Sequence, residues 1–395
     1  MKKLILIFIF LCIATGAHAA ERWIVVFDPA VVNEPARETL IKAHGGIIIK
    51  NLPLITGKAV LLPPQAEAAL GKTNGVIRVD PDVVVEAYAK PTPPPPPPET
   101  LPWGVDQIDA ELAWGTSTGS GVKVAVVDTG IDLSHPDLKV WGGINTINPR
   151  KGYNDDNGHG THVAGTIAAI NNEIGVIGVA PTASLYAVKV LNSQGSGFLS
   201  DIIEGLDWCI NNEIQVVNMS LGTSSNVQSF QDAVKKVYDA GIIQVAAAGN
   251  SYGGAVGYPA AYSEVIAVSA TDITKTIASF SSIGPEVELA APGVSIPSTW
   301  KGGAYKTASG TSMAAPHVTG TVALAIANSV ADVRATLQAT ADDLGNPGKD
   351  NLYGYGLVDA EEVVTGAQTH LAPSRISGLT PVGKIATIWG QLKKQ

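Results

Sequence analysis

The sequence predicts an α/β protein, a three-layer parallel sheet with helices on both faces, preceded by a small α+β unit. Three observations predict it. From residue 101 to 366, short apolar runs alternate with helical stretches, the pattern of a parallel sheet with crossover helices. The runs 122–127, 184–190, 214–219, 242–247 and 265–268 are almost continuously apolar, so both faces of each strand should be covered. Ahead of them, residues 20–90 spell β-α-β-β-α-β, the split βαβ order.

Each part follows in order. Lys2 and Lys3, the apolar run 4–13 and the small-residue site Ala17-His18-Ala19 form an export signal cut after Ala19. Its apolar run is too short to span a bilayer. In the small unit, 23–27 is β-branched and apolar, a strand. Residues 34–44 have helical spacing and stop at Gly45-Gly46. Strands follow at 46–49, 59–62 and 76–79, with a short helix at 65–71. Residues 91–100 carry Pro91 and six consecutive prolines, 93–98, a stiff extended spacer. The parallel domain spans 101–366. The tail 367–395 carries Arg375, Lys384, Lys393 and Lys394 and no acidic residue. The sequence leaves open whether that tail is disordered, removed or docked as a strand.

Composition narrows the function. Hydrophobic residues are 45% and charged residues 15%, suited to a compact globular enzyme. The net charge of −9 argues against nucleic acid and anionic membrane as partners. Once the export segment with Cys12 is removed, Cys209 stands alone, so no internal disulfide forms and a buried, inert thiol is expected. An exported chain without disulfides needs other stabilisation, and a bound metal is one route.

Three distant stretches carry chemistry. The first, 124–130, ends its apolar run on Asp128; the second is His159-Gly160-Thr161-His162; the third is Gly310-Thr311-Ser312-Met313-Ala314-Ala315-Pro316. A serine hydroxyl needs a base within reach, and a base needs an orienting carboxylate. Proline suits a helix's first turn, so Pro316 places Ser312 at or beside a helix N-terminus. A second helix is expected from about Thr161, with Gly158 just ahead of His159. His159 and His162 lack HExxH spacing, so a zinc hydrolase is not supported. His135, His162 and His317 read as packing residues. The sequon Asn218-Met219-Ser220 falls on a buried strand and is discounted.

With the order Asp-His-Ser and these flanking residues, the chain resembles the subtilisin-like serine proteases (subtilases) from about Leu101 to Gly366, and residues 20–90 resemble their inhibitor-I9-type propeptide. The resemblance implies a secreted serine endopeptidase acting through an acyl-enzyme. Ser312 is the nucleophile, His159 the base, Asp128 its orienter and Asn250 the oxyanion donor. It implies a first specificity pocket walled by Ser220, Leu221, Gly222, Ala247, Ala248 and Gly249, with Gly257 at its base. Those small, uncharged walls suit a large apolar or aromatic side chain. Residues 251–256 form a shorter outer wall than the family's. Leu191, Leu199, Ile202 and Leu221 match the apolar pocket upstream.

The resemblance also implies structural Ca²⁺, held by Glu99, Asp137 and Asn172 through side chains and by Ile170, Ile174 and Val176 through carbonyls. The implied partners are protein and peptide substrates, with the propeptide as chaperone and temporary inhibitor. A monomer that leaves the membrane after signal cleavage is expected. The cut should fall after Tyr88, with trimming near Glu99 as the competing terminus. The proline spacer departs from the family pattern, in which propeptide and enzyme adjoin. Two alternatives remain: esterase or peptide-ligating activity of the same triad, and a silent binding protein on the same fold.

Overall fold

The computed structural model describes residues 20–87, 90–92 and 98–369. The export signal 1–19, Tyr88 and Ala89, prolines 93–97 and residues 370–395 lie outside the described residues.

The N-terminal unit runs β1 (Glu21–Phe27), α1 (Glu34–Ala43), β2 (Ile47–Leu52), β3 (Gly57–Leu62), α2 (Ala66–Leu70) and β4 (Val76–Pro81), the expected order. Its strands form an antiparallel sheet, β2-β3-β1-β4. Asn33 caps α1 by accepting from the Ala36 N–H, with a proline in the first turn. Strand β1 is apolar on both faces. Val25 and Phe27 pack under the unit's helices with Ile41 and Leu70, while Ile24 and Val26 face the large domain.

The chain continues through β5 (Val84–Ala87), β6 (Lys90–Thr92), α3 (Trp103–Gln107), α4 (Ala110–Ala113), β7 (Lys123–Asp128), β8 (Val140–Asn145), α5 (His159–Ala168), β9 (Ser184–Lys189), β10 (Ser196–Phe198), α6 (Leu199–Asn211), β11 (Val216–Met219), β12 (Leu221–Gly222), α7 (Gln228–Asp239) and β13 (Ile243–Ala247). It ends with β14 (Val265–Thr271), β15 (Val287–Pro292), β16 (Ile296–Trp300), β17 (Ala304–Ser309), α8 (Thr311–Ala327), α9 (Val333–Thr340) and α10 (Ala360–Thr365). The central sheet has seven parallel strands in the order β15-β14-β13-β11-β7-β9-β8.

Alternate residues of β7 divide the layers. Val124 and Val126 join the core of α5 and α8, while Ala125 and Val127 join that of α6 and α7. The second core also holds Ile24, Val26 and Leu52, so the N-terminal unit docks on α6 and α7 through buried apolar surface. Each such side chain contributes about 1.5–3 kcal/mol when fully buried.

Polar contacts set the register of that docking. Asp82 accepts from the Ser200 N–H (2.9 Å) and hydroxyl (2.8 Å), capping α6 from outside. Arg22 bridges Asp82 and the Ser200 hydroxyl and lies over the Phe198 ring. Asp80 accepts from the Ser229 hydroxyl in the first turn of α7 and pairs with Arg78, which also reaches Asp232. Lys50 pairs with Asp201 and Glu204 on α6.

Candidate active site

Asp128 is the last residue of β7, at the carboxyl end of the parallel sheet, where ligands bind in such folds. Helix α5 opens on His159 itself, two residues earlier than the expected start at Thr161. The advance depends on two glycines. Gly158 adopts φ +114°, and a Cβ there would lie 2.3 Å from the Trp300 ring. A Cβ on Gly160 would lie 2.2 Å from the Gly130 carbonyl oxygen, so its absence lets α5 abut the Asp128 turn. His159 Nδ1 donates to Asp128, at 2.7 and 2.9 Å from the two carboxylate oxygens. Asp128 also accepts from the Thr129 N–H (2.7 Å) and is fully buried.

Sequence reasoning missed Asp155. This buried carboxylate accepts from the Thr129 hydroxyl (2.9 Å) and the Asn157 (2.9 Å) and Gly158 (2.8 Å) N–H groups at one oxygen. Its other oxygen accepts the N–H (3.0 Å) and hydroxyl (2.6 Å) of Thr161. Five donors thus lock the turn that delivers His159 beside Asp128. The available signal was the polar run Asp155-Asp156-Asn157 immediately ahead of a helix, which is a capping composition.

Ser312 is the second residue of α8. The expectation for Pro316 needs correction, because it is the sixth helical residue and lies beyond the first turn. Without an N–H, it leaves the Ser312 carbonyl lacking its helical donor. The Ser220 hydroxyl supplies the missing bond (2.8 Å) and is held in turn by Asn218 Nδ2 (2.9 Å). Asn218 accepts from the Thr319 hydroxyl on α8 (2.8 Å). The Ser312 backbone is therefore pinned by a side-chain relay from β11. The Ser312 hydroxyl donates to the Ser220 carbonyl (3.0 Å), and His159 Nε2 has no hydrogen-bond partner among the described residues. For His159 to take the proton of Ser312, the hydroxyl would have to turn from that carbonyl toward Nε2.

Asn250 follows the end of β13. Its side-chain oxygen accepts from the Thr311 N–H (3.1 Å) and hydroxyl (3.0 Å), which fixes the amide plane and commits the nitrogen to the donor role. The Thr311 hydroxyl also accepts from the Gly249 N–H (3.1 Å).

The pocket residues come together. Strand β12 carries Leu221 and Gly222; Ala247 ends β13; Gly257 donates its N–H to the Ala248 carbonyl (2.9 Å) beside Gly249. Strand β5 lies antiparallel between β10 and β12, with Val85 opposite Gly197 and Ala87 opposite Leu221. Val85 is buried in the core that holds Leu191, Leu199, Ile202 and Leu221.

A model of the subtilase family matches residues 119–356. The chain belongs to the subtilase family. It is a serine endopeptidase and is similar to M-protease of Shouchella clausii, 49% identical over 85% of this chain and 84% of that protein. It is also similar to a thermostable alkaline protease of Halalkalibacterium halodurans, 48% identical over 72% of this chain and 78% of that protein. Subtilisin NAT of Bacillus subtilis subsp. natto is 43% identical over 88% of this chain and 92% of that protein.

In this subtilase the remaining histidines serve packing. His162 Nε2 donates toward the carbonyls of Ile296 (3.0 Å) and Lys306 (3.1 Å), and burial lowers its pKa to about 3. His317 Nδ1 donates to the Met313 carbonyl (2.8 Å), and burial lowers its pKa to about 4. His135 accepts the Asp137 N–H at Nδ1 (3.2 Å) and donates from Nε2 to the Ala304 carbonyl (2.9 Å). Cys209 is buried, and burial pushes its thiol up and keeps it unreactive. Asn218 is fully buried and bonded, so its sequon is inaccessible.

The six residues expected to hold a cation converge on one loop. Fully buried Asp137 accepts from Asn172 Nδ2 (2.9 Å) and the Val176 N–H (3.1 Å), and its own carbonyl accepts the Ile170 N–H (3.0 Å). Glu99 accepts the Asn172 N–H (2.6 Å), and Asn172 Oδ1 accepts the Ile174 N–H (2.8 Å). Burial raises the Asp137 pKa. The side-chain oxygens that the structure gathers here are the Asp137 and Glu99 carboxylates and the Asn172 amide, hard donors of the kind a calcium ion takes. Among the described residues, no three or more His, Cys, Asp or Glu side chains are grouped to hold a metal ion.

Proposed function

We propose that the chain is an exported zymogen whose residues 20–88 act as folding chaperone and inhibitor. The mature monomer cleaves proteins and peptides after large apolar or aromatic residues. The observation that carries this reading is the path of β5 and β6. Strand β5 occupies the cleft as a substrate would, with Val85 in the upstream apolar pocket. The described chain resumes at Lys90, opposite Ser309 on β17, three residues before Ser312. Tyr88 and Ala89 lie outside the described residues; that β5 ends beside β12 and the chain resumes on β17 supports a scissile bond in the interval between them.

The Ser312 hydroxyl attacks the Tyr88 carbonyl carbon while His159 takes its proton, and Asp128 stabilises the imidazolium. The oxyanion accepts from the Asn250 amide and the Ser312 N–H. His159 then protonates the Ala89 nitrogen as the peptide bond breaks. Water, activated by His159, hydrolyses the acyl-enzyme. The uncharged pocket walls leave an arginine or lysine unpaired, which disfavours basic residues.

A calcium ion on Glu99, Asp137, Asn172 and the carbonyls of Ile170, Ile174 and Val176 would stabilise the fold without entering these steps. Among the described residues no helix is long and apolar enough to cross a membrane.

Purified Ser312→Ala protein tests the reading. It should fold, lack casein hydrolysis and retain residues 20–88. Sequencing of freshly processed wild-type enzyme should give Ala89 first. Casein hydrolysis by Ser312→Ala at the wild-type rate would refute the mechanism.

A further inference from the structure

We propose that residues 90–92 stay docked on β17 after the first cut and obstruct the half of the cleft that receives the substrate beyond its scissile bond. The proline run behind them prevents the enzyme from removing them itself. The inference rests on the reading above and concerns the regulation of the same site.

Strand β6 is the third strand of the sheet β16-β17-β6. Lys90 lies opposite Ser309, Pro91 opposite Ala308 and Thr92 opposite Thr307. A substrate residue two places past its scissile bond needs the edge that Lys90 holds. Cutting Tyr88–Ala89 does not release this strand, because the chain is anchored again just downstream. Asn172 donates its N–H to Glu99 (2.6 Å), Glu99 donates its own to Glu173 (3.4 Å), and Thr100 donates to Gly175 (2.8 Å). None of these partners belongs to residues 20–88, so the anchor survives loss of the propeptide. An edge strand tethered within ten residues of its anchor competes at an effective concentration of order millimolar.

The same chemistry blocks self-trimming. The upstream half of the cleft takes a strand paired on both sides, as β5 pairs with β10 and β12. That pairing needs backbone N–H groups and extended φ. Pro91 and the six prolines 93–98 have no N–H, and their φ stays near −65°. A cut between Pro98 and Glu99 would require four prolines in that strand. The enzyme starting at Ala89 is thus a stable, partly obstructed form, and full activity on proteins awaits a second protease.

The test replaces Pro95–Pro98 in the full-length chain with a four-residue recognition sequence ending in arginine, which the uncharged first pocket disfavours, for an unrelated protease that cuts on its C-terminal side; sequencing checks that Ala89 is retained until that cut. The self-processed enzyme is assayed before and after that cut. One substrate is a tetrapeptide p-nitroanilide, with no residue beyond the reacting bond. The other is an internally quenched peptide with three residues beyond it. Trimming should raise kcat/KM for the quenched peptide about tenfold or more and leave the nitroanilide within about twofold. Equal change, or none, on both substrates would overturn the proposal while leaving the protease reading intact. No nitroanilide hydrolysis at any stage would sink both. A second variant, with prolines 93–98 replaced by Ser-Thr-Val-Ser-Thr-Tyr so that the Val85–Tyr88 spacing recurs ahead of Glu99, should trim itself to a terminus beyond residue 92; retention of Ala89 would overturn the role of the prolines.

Discussion

At the scale of single residues, the least expected arrangement is the partnership of Ser220 with Pro316. The proline removes a helical donor from the nucleophile's carbonyl, and the Ser220 hydroxyl replaces it across the site. Leaving that buried acceptor unpaired costs about 1–3 kcal/mol. In the inactive Ser312→Ala background, Ser220→Ala should therefore lower unfolding free energy by about that amount in chemical denaturation. With Pro316→Ala the helical donor returns, and the same substitution should cost markedly less. An additive double-mutant cycle would exclude this coupling. Asp155 acts through the His159 turn, so it is a positioning residue. Asp155→Asn places an NH₂ against donors, and kcat on a peptide anilide should fall on the order of tenfold to a hundredfold with KM little changed. The sequence offered Asp128, His159 and Ser312 as candidates because each sits in a dense local pattern that resembles the subtilase motifs. It missed Asp155, Thr311 and the Ser220 hydroxyl because their partners are distant in the chain.

At the scale of elements, the junction between the N-terminal unit and α6 is a helix cap supplied from another part of the chain. Asp82 satisfies the Ser200 N–H, which no residue within α6 satisfies. Asp82→Ala in the Ser312→Ala precursor should cost about 0.5–2 kcal/mol and speed amide exchange in the first turn of α6, leaving α8 unchanged. Unaltered exchange at Ser200 would count against the cap. Two strands of the central sheet escaped the sequence reading, β8 and β15. In β8, Gly142 and Gly143 break the apolar pattern, yet a Cβ on Gly143 would sit 2.1 Å from the Ala187 carbonyl, so the close strand approach demands glycine. In β15, Glu288 interrupts an apolar run, and its charge is held by Arg334 and Gln338 from α9. A local pattern cannot show that a carboxylate will find an arginine 46 residues away.

At the scale of the whole molecule, stability should depend on calcium and on acid. A ligand that binds only the folded state adds about 2.7 kcal/mol at a hundredfold excess over Kd. The Ser312→Ala enzyme, freed of residues 20–88, should melt higher in calcium than in chelator, and Asp137→Ala should abolish most of the difference. Equal melting temperatures would remove the cation from the loop. Acid acts through His162 and His317. Unfolded, each ring protonates near pH 6.5; folded, they stay neutral down to about 3 and about 4. The folded state therefore binds fewer protons in that window. Their contribution is complete above about pH 6.5 and is lost as pH falls toward 4 and below. Unfolding at pH 5 should protonate these two rings, and His317→Asn should flatten the fall of melting temperature between pH 6.5 and 4.

The sequence by itself determined the alternation of strands and helices and the split βαβ unit, while its resemblance to the subtilases supplied the triad candidates and the loop of Glu99, Asp137 and Asn172. Those features are written in periodicity and short motifs, which depend on neighbours in the chain. Only the tertiary structure decided how the leader strand sits between β10 and β12, why β6 lies on the far side of the nucleophile, and which side chains pin the Ser312 backbone. Each of these rests on hydrogen bonds between segments roughly 90 to 220 residues apart. Such pairs have no local signature, because a backbone N–H or a serine hydroxyl can bond any acceptor until folding brings one within 3 Å.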